Sequence, residues 1–281
     1  MRRPVLAYWY ARLPNFGDLL TPFYIRRLTG VEPVNLLHTG RKPRASRYSL
    51  APHSGPEWFR QRFRLSKREQ YSCVGSILGR GDWDVSQATV WGSGFLSVPT
   101  APPTRPRRLL CIRGELSLDV YERNVQNEVQ ALGDPGVLVA DFFRVDTLPA
   151  HDIGLVAHYS QKNHPFLKEA QRHGMKVIDV QQDVEPFVEQ MLSCSVILSS
   201  AMHALIAADS FGIPNRWVSF GHEFMSAPFK FHDYFSVAGG YQEAPDILTS
   251  SHDALAAAHK AKPRNIESLK KALRETNPFA Q

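Results

Sequence analysis

A chain of 281 residues corresponds to one large or two medium domains. Its 43% hydrophobic and 11% aromatic content is that of a globular protein and argues against wholesale disorder. The formal charge of +6 is local: residues 41–70 hold nine Lys or Arg against Glu57 and Glu69, a net +7 on an otherwise near-neutral chain. Such placement disfavours a protein that coats nucleic acid and favours one basic surface feature.

The first apolar run, Val5 to Ala11, is aromatic-rich, stops at Arg12 and lacks a small-residue cleavage site, so it reads as a strand over Val5–Tyr10 and not as a signal peptide. Further strands are expected at Cys73–Ile77, Thr89–Trp91, Leu109–Ile112, Val129–Leu132, Ile153–His158, Lys176–Val180, Ser195–Ser199 and Arg216–Phe220. Helices are expected at Glu115–Arg123, Val184–Ser193, Ala201–Phe211 and Ile266–Arg274. In the second of these Val184, Phe187, Val188, Met191 and Leu192 form one apolar face, with Pro186 tolerated in the first turn. Strands alternating with helices predict an α/β fold with parallel sheets.

The polar, proline-bearing stretch Asp146–Asp152 divides the chain into two units, residues 1–148 and 149–281. The second is expected to end its strand series before residue 260, with the C-terminal helix folding back. Residues 38–68, rich in Arg and Pro, read as a surface loop or a helix on a rim. No run of ~18 uncharged apolar residues occurs, so the chain is expected to be soluble or at most attached to a membrane surface. Cys73, Cys111 and Cys194 each sit in an apolar stretch without ligand spacing, which predicts three buried thiols and no metal site.

Several strand-to-helix junctions gather polar chemistry. The loops Gly75–Gly81 and Gly92–Gly94 follow strands but complete neither G-x-G-x-x-G nor a P-loop, which disfavours a nucleotide there. In Asn15-Phe-Gly17-Asp18, ahead of the first helix, Asp18 can cap that helix or act as a base. Ser199, Ser200 and His203 lie where a strand delivers the chain to a small-residue helix; free N–H groups and hydroxyls there suit an anion, and a histidine can move a proton. Arg113 emerges at another strand end, where a guanidinium can grip a carboxylate or phosphate or simply be a surface residue. The segment Phe229–Tyr234, with Lys230 and His232 among aromatics, reads as a loop forming a binding wall or a plain aromatic turn.

Taken in order, NFGDLLTPFYIRRLTG, VWGSGF, IRGELS, LGDPGVL and SSAMHALIAADSFGIP resemble the polysaccharide pyruvyl transferase family, and FKFHDYFS resembles its exopolysaccharide ketal-pyruvate transferase branch. The resemblance implies two Rossmann-like domains facing a cleft, in an arrangement similar to glycosyltransferase-B enzymes, with the acceptor on the N-terminal side and the donor on the C-terminal side. It implies phosphoenolpyruvate as co-substrate, no cofactor, and a glycan acceptor that is commonly lipid-linked at the inner face of the cytoplasmic membrane. That location implies a cytoplasmic protein with peripheral membrane contact and no nucleic-acid partner.

By the same resemblance His203 is the acid that protonates the enol, and Arg113 contacts the donor. Asp18 is the candidate for orienting or deprotonating the acceptor, with Asn15, Gly17, Ser199 and Ser200 around the substrates. One departure stands out: family members carry an Arg two residues before the His, where this chain has Ala201. Lys230 or His232 is expected to replace that charge. Two other readings compete: a nucleotide-sugar glycosyltransferase gripping ribose through Asp209 or Glu223, and a non-catalytic glycan- or nucleic-acid-binding module using the basic segment.

Overall fold

The computed structural model describes residues 5–36, 69–81, 83–124, 129–145, 148–221 and 227–280. Residues 38–68, with most of the basic segment, lie outside the described residues, as do His222 and Glu223. The described residues build two sheets. The first contains β1 (Leu6–Ala7), β2 (Val34–Asn35), β3 (Gln70–Ser72), β4 (Ala88–Trp91), β5 (Arg108–Ile112) and β6 (Ala131–Leu132), in the order β2-β1-β3-β4-β5-β6. The second contains β7 (His151–Val156), β8 (Lys176–Ile178), β9 (Cys194–Ser199), β10 (Asn215–Phe220) and β11 (Asp246–Leu248), in the order β11-β10-β9-β7-β8. Every strand pair is parallel.

Parallel neighbours require crossover connections. Among the described residues the helices are α1 (Phe16–Thr29), α2 (Glu115–Asn124), α3 (Pro165–Arg172), α4 (Val184–Leu192), α5 (Met202–Ser210), α6 (Pro228–Ala238), α7 (Ser251–Lys260) and α8 (Glu267–Glu275), with 3-10 helices over Val85–Gln87 and Pro135–Phe142. The α/β class with two parallel sheets is therefore the architecture of the chain. No helix among the described residues is long and apolar enough to cross a membrane. Cys73, Cys111 and Cys194 are buried and unpaired.

Local differences from the sequence reading have physical causes. Cys73–Ile77 lies beyond β3, which ends at Ser72; Cys73 and Val74 are apolar because they are buried beneath α1, and Val74 N donates to Thr21 Oγ1 at 3.1 Å. His151 and Asp152, placed in the dividing stretch, already belong to β7, where His151 pairs with Cys194. The segment expected as an aromatic loop is the helix α6. Pro228 occupies its first turn, where the missing N–H costs nothing, and Phe231 stacks on Trp217 at 4.3 Å. Its aromatics are thus a buried helix face.

Each half buries an element of the other. From the first half, α1 packs on α4 and α5: Phe16 stacks on Phe187 at 4.0 Å, and Phe16 N donates to Val180 O at 2.8 Å. One buried cluster runs from Phe16, Leu20 and Phe23 to Val188, Met191 and Leu205. In return α6 packs on α2, and α8 packs on β6 and the second 3-10 helix, where Trp91 Nε1 donates to Leu273 O at 3.2 Å.

The α6–α2 contact centres on a fully buried ion pair. Arg113 Nε donates to Asp233 Oδ2 at 2.8 Å, and both side chains are 0% exposed. Asp233 also accepts from Ser117 N at 2.7 Å and Ser117 Oγ at 2.6 Å, so it caps α2 from the opposite half. Gly114 lets this happen: a Cβ there would stand 1.8 Å from the Asp233 carbonyl oxygen. Asp233→Ala leaves Arg113 charged and unpaired in the interior and should destabilise the protein by about 3–5 kcal/mol in urea denaturation. A loss under about 1 kcal/mol would show that this pair does not hold the halves together.

Candidate functional site

The polar side chains of interest all follow the carboxyl ends of parallel strands, the edge where open α/β sheets bind ligands. Asn15 caps α1: its Oδ1 accepts from Gly17 N at 3.4 Å. The cap was one reading of Asp18; the structure gives that task to Asn15 and leaves the Asp18 carboxyl in the first turn. The close partner of α1 is α5. A Cβ on Gly17 would come within 2.0 Å of His203 Nδ1, so glycine there is what admits the imidazole to the start of α1. On its other edge, His203 Nε2 stands 3.5 Å from Asp134 Oδ2, at the end of β6.

Asp18, His203 and Lys230 form one electrostatic group drawn from the first turns of α1, α5 and α6. Burial pushes the Asp18 carboxyl up to about 6, against the opposing pull of His203, a hydrogen bond from Asn15, and the charges of Lys230 and Arg80. Burial also lowers the Lys230 ammonium to about 8, with Arg113 adding repulsion and Asp18 opposing both. Lys230 has no hydrogen-bond or ion-pair partner among the described residues; its ammonium lies 5.3 Å from the centroid of the Phe231 ring. His158, beyond β7, is lowered to about 4 by burial and by Lys230, which keeps it neutral at physiological pH. Arg80 completes the group and lies over the Tyr10 ring at 4.7 Å. A cation without an ion-pair contact among the described residues, grouped with a carboxyl raised toward neutrality and an imidazole, is an arrangement suited to a small anion and to proton transfer.

Other residues expected in the site are placed elsewhere. Arg113 is sealed in the interior, with Nη1 donating to Ser76 Oγ at 2.6 Å and Nη2 to Phe95 O at 2.5 Å besides its bond to Asp233. All three of its nitrogens are engaged within the protein, so it reaches the group through its charge on Lys230 and not by contact with solvent. The Ser199 hydroxyl is buried among backbone groups of Val156 and Ala201, and Ser200 Oγ accepts from His158 N at 2.8 Å. Both serines fasten the turn between β9 and α5 and are not displayed to a ligand.

His232 is two residues from Lys230 on α6 and therefore points to another side of the helix. There it meets Trp217 edge-on and shares a 2.8 Å hydrogen bond with Glu243 O. It is not part of the group. Asp209 is consumed by Asn215, Tyr234 and Arg264, at 2.6, 2.8 and 3.1 Å, and offers no free carboxylate to a ribose.

The sequence reading does not single out Asp134, His158 or Arg80, whereas Asp233 belongs with Lys230 and His232 to the polar set of the segment Phe229–Tyr234. Asp134 sits in LGDPG, where an acid at a strand end before Pro-Gly is a signal that could have been followed. Among the described residues no group of three or more His, Cys, Asp or Glu could hold a metal ion.

With this geometry in hand, the family model described as polysaccharide pyruvyl transferase matches residues 105–222, a stretch that carries Arg113, Asp134, His158 and His203. The likeness to that family read from the motifs stands over this region. A curated relative, an uncharacterised protein L143 of Acanthamoeba polyphaga mimivirus, is 35% identical over 136 residues, covering 46% of this chain. The chain spans about half the length of that relative, 47% of it. Among solved structures, a protein of uncharacterised function from Klebsiella pneumoniae is similar with a TM-score of 0.43 at 10% identity, covering 88% of this chain and 93% of that one. The wall teichoic acid polymerase TagF gives a TM-score of 0.44 at 8% identity, covering 99% and 84%. At these scores the structural likeness adds nothing to the strand order, which defines the architecture by itself.

The Asp18 environment makes a signed prediction. Its carboxyl rises from an ordinary 3.8 to about 6, so the folded chain binds the proton more tightly than the unfolded one. Stability is unaffected below pH 4, falls as pH rises from 4 to 6, and carries the full penalty above that. Asp18→Asn should therefore stabilise the protein at pH 8 by up to about 3 kcal/mol, and by almost nothing below pH 4. Equal effects in urea denaturation at the two pH values would contradict this.

Proposed function

We propose that this protein transfers pyruvate from phosphoenolpyruvate to two hydroxyls of a glycan sugar, forming a pyruvate ketal. The match over residues 105–222 supports a pyruvyl transferase role on polysaccharides. The observation that carries the finer reading is the Lys230 ammonium, without a hydrogen-bond or ion-pair partner among the described residues, grouped electrostatically with Asp18, which in turn acts on His203, at a junction of the two halves. Phosphoenolpyruvate carries roughly two to three negative charges near neutral pH and needs such a cation. Ala201 is buried at the start of α5, where family members have arginine, and Lys230 takes over the missing positive charge.

In the proposed course, the protonated His203 ring gives its proton to the methylene carbon of the enol, which becomes a methyl group. Positive charge develops at the adjacent carbon, and one sugar hydroxyl adds there as its proton passes to a base; Asp18 is suited to accept it. The carbon–oxygen bond to phosphate then breaks, and the second hydroxyl closes the ketal. Its proton leaves with the phosphate or returns to His203, so donor and diol give ketal and inorganic phosphate with no redox change. Lys230 holds the donor's anionic groups throughout. The acceptor in this reading is a lipid-linked oligosaccharide, met by peripheral contact at the inner face of the cytoplasmic membrane. A nucleotide-sugar donor is less well served, because the Asp209 carboxylate is already taken.

The activity test is phosphate release from phosphoenolpyruvate across a panel of lipid-linked and synthetic glycosides, with mass spectrometry of the acceptor. Acceptor-dependent release with gain of one ketal-linked pyruvyl group is expected; release without change in the acceptor would refute the transfer. Within the site, Lys230→Ala should weaken phosphoenolpyruvate binding about 10- to 100-fold, as for loss of a charged hydrogen bond. His232→Ala should leave it unchanged, and the opposite ranking would remove Lys230 from the donor site.

A further inference from the structure

We infer that Asp134 is a positioning residue which keeps the neutral His203 ring protonated at Nε2, so that Nδ1 is the nitrogen that exchanges a proton with substrate. This rests on the reading of His203 as the acid and specifies which atom acts. Asp134 follows β6 and is 0% exposed. Its Oδ1 accepts from Gly136 N at 2.8 Å, which fixes the plane of the carboxylate and turns Oδ2 toward α5. Oδ2 is buried and has no hydrogen bond among the described residues, and the same is true of His203 Nε2. The two orphaned atoms face one another at 3.5 Å.

Leaving either atom unsatisfied costs about 1–3 kcal/mol, so each is the other's natural partner. The separation exceeds that of a formed N–H···O bond and is of the kind that tightens when a catalytic ring takes up charge. A carboxylate accepts only; the ring nitrogen facing it must therefore carry the hydrogen.

The other edge of the ring differs in every respect. Nδ1 lies against Gly17 at the start of α1, where a Cβ would come within 2.0 Å, and no described residue hydrogen-bonds to it. The ring keeps 14% of its side-chain surface exposed. Asp18, also on α1, acts on His203 through its charge, and Lys230 of α6 acts on Asp18 in turn. Nε2 thus faces a buried anchor, while Nδ1 lies at the start of α1, the helix that carries Asp18. When the charged ring releases its Nδ1 proton, it is left as the Nε2–H tautomer that Asp134 favours.

The test is nitrogen NMR of the histidine rings in the full chain, at a pH where the His203 ring is neutral. His203 is assigned among the eleven histidines by the signals missing in His203→Gln. The wild type should show His203 protonated at Nε2. In Asp134→Asn the side-chain oxygen can still accept from Gly136 N while an NH2 donor now faces Nε2, so the ring should switch to the Nδ1–H tautomer. The same variant should lose at least ~100-fold in kcat for pyruvyl transfer, with KM for phosphoenolpyruvate changed by less than about threefold. An Nδ1–H tautomer in the wild type, or an unaltered tautomer in a folded Asp134→Asn, would overturn the inference. If that variant does not fold, the wild-type tautomer decides alone. Absence of transfer in the wild type would count against the proposed function and leave the tautomer result standing.

Discussion

The arrangement of this molecule depends on the buried pair between Arg113 at the end of β5 and Asp233 in α6. Removing two charges from water is costly, and a pair in a dry interior is tolerated only when the remaining hydrogen-bonding capacity is met. Here it is met closely. Ser117 gives Asp233 two further donors, while Ser76 and Phe95 O take the two outer nitrogens of Arg113. What this pair fixes is a position. Lys230 lies three residues before Asp233 on the same helix, so seating Asp233 in the first half carries Lys230 to the junction, and the trapped Arg113 charge then acts on its ammonium.

An apolar contact does the complementary work on the other side. Phe16 and its neighbours at the start of α1 are buried against Phe187 and the helices of the second half, which sets the depth at which Asn15, Gly17 and Asp18 sit. The site therefore lies between an ionic anchor and a hydrophobic one, and its three principal groups come from helices whose first turns are held from both halves. Burial of the same junction explains the electrostatics: it raises the Asp18 carboxyl and lowers Lys230 and His158, so several protonation states change within a few pH units of neutrality.

Much of the architecture can be read from the sequence because apolar runs at parallel strands are nearly continuous, and eight of the eleven strands announce themselves in this way; β3 ends just before the apolar run expected to form it. β2 and β11 are two and three residues long and half exposed in part, too brief to leave a pattern. In the sequence α6 reads as a loop because its proline and aromatics mimic a turn, yet Pro228 is a first-turn residue and the rings pack on Trp217. His203 could be found because a histidine at a strand-to-helix turn is conspicuous. Arg113 is conspicuous for the same reason, but sequence does not reveal that an acid 120 positions later pairs with it in the interior. Ser199 and Ser200 show the same limit on a smaller scale: hydroxyls at a helix start satisfy the backbone as readily as a ligand. The partnership of Asp134 with His203 joins strands far apart in the chain and became visible only in the fold.

The central claim is that the enol carbon of phosphoenolpyruvate is protonated at this junction and ends as the methyl of a ketal. The most direct measurement is turnover in deuterated water with a glycan acceptor, followed by NMR of the product. The account predicts a ketal whose methyl group carries one deuteron, formed by the wild type and lost in His203→Gln. A product that retains the methylene of the enol, or an acceptor that gains phosphate in place of a pyruvyl group, would contradict it.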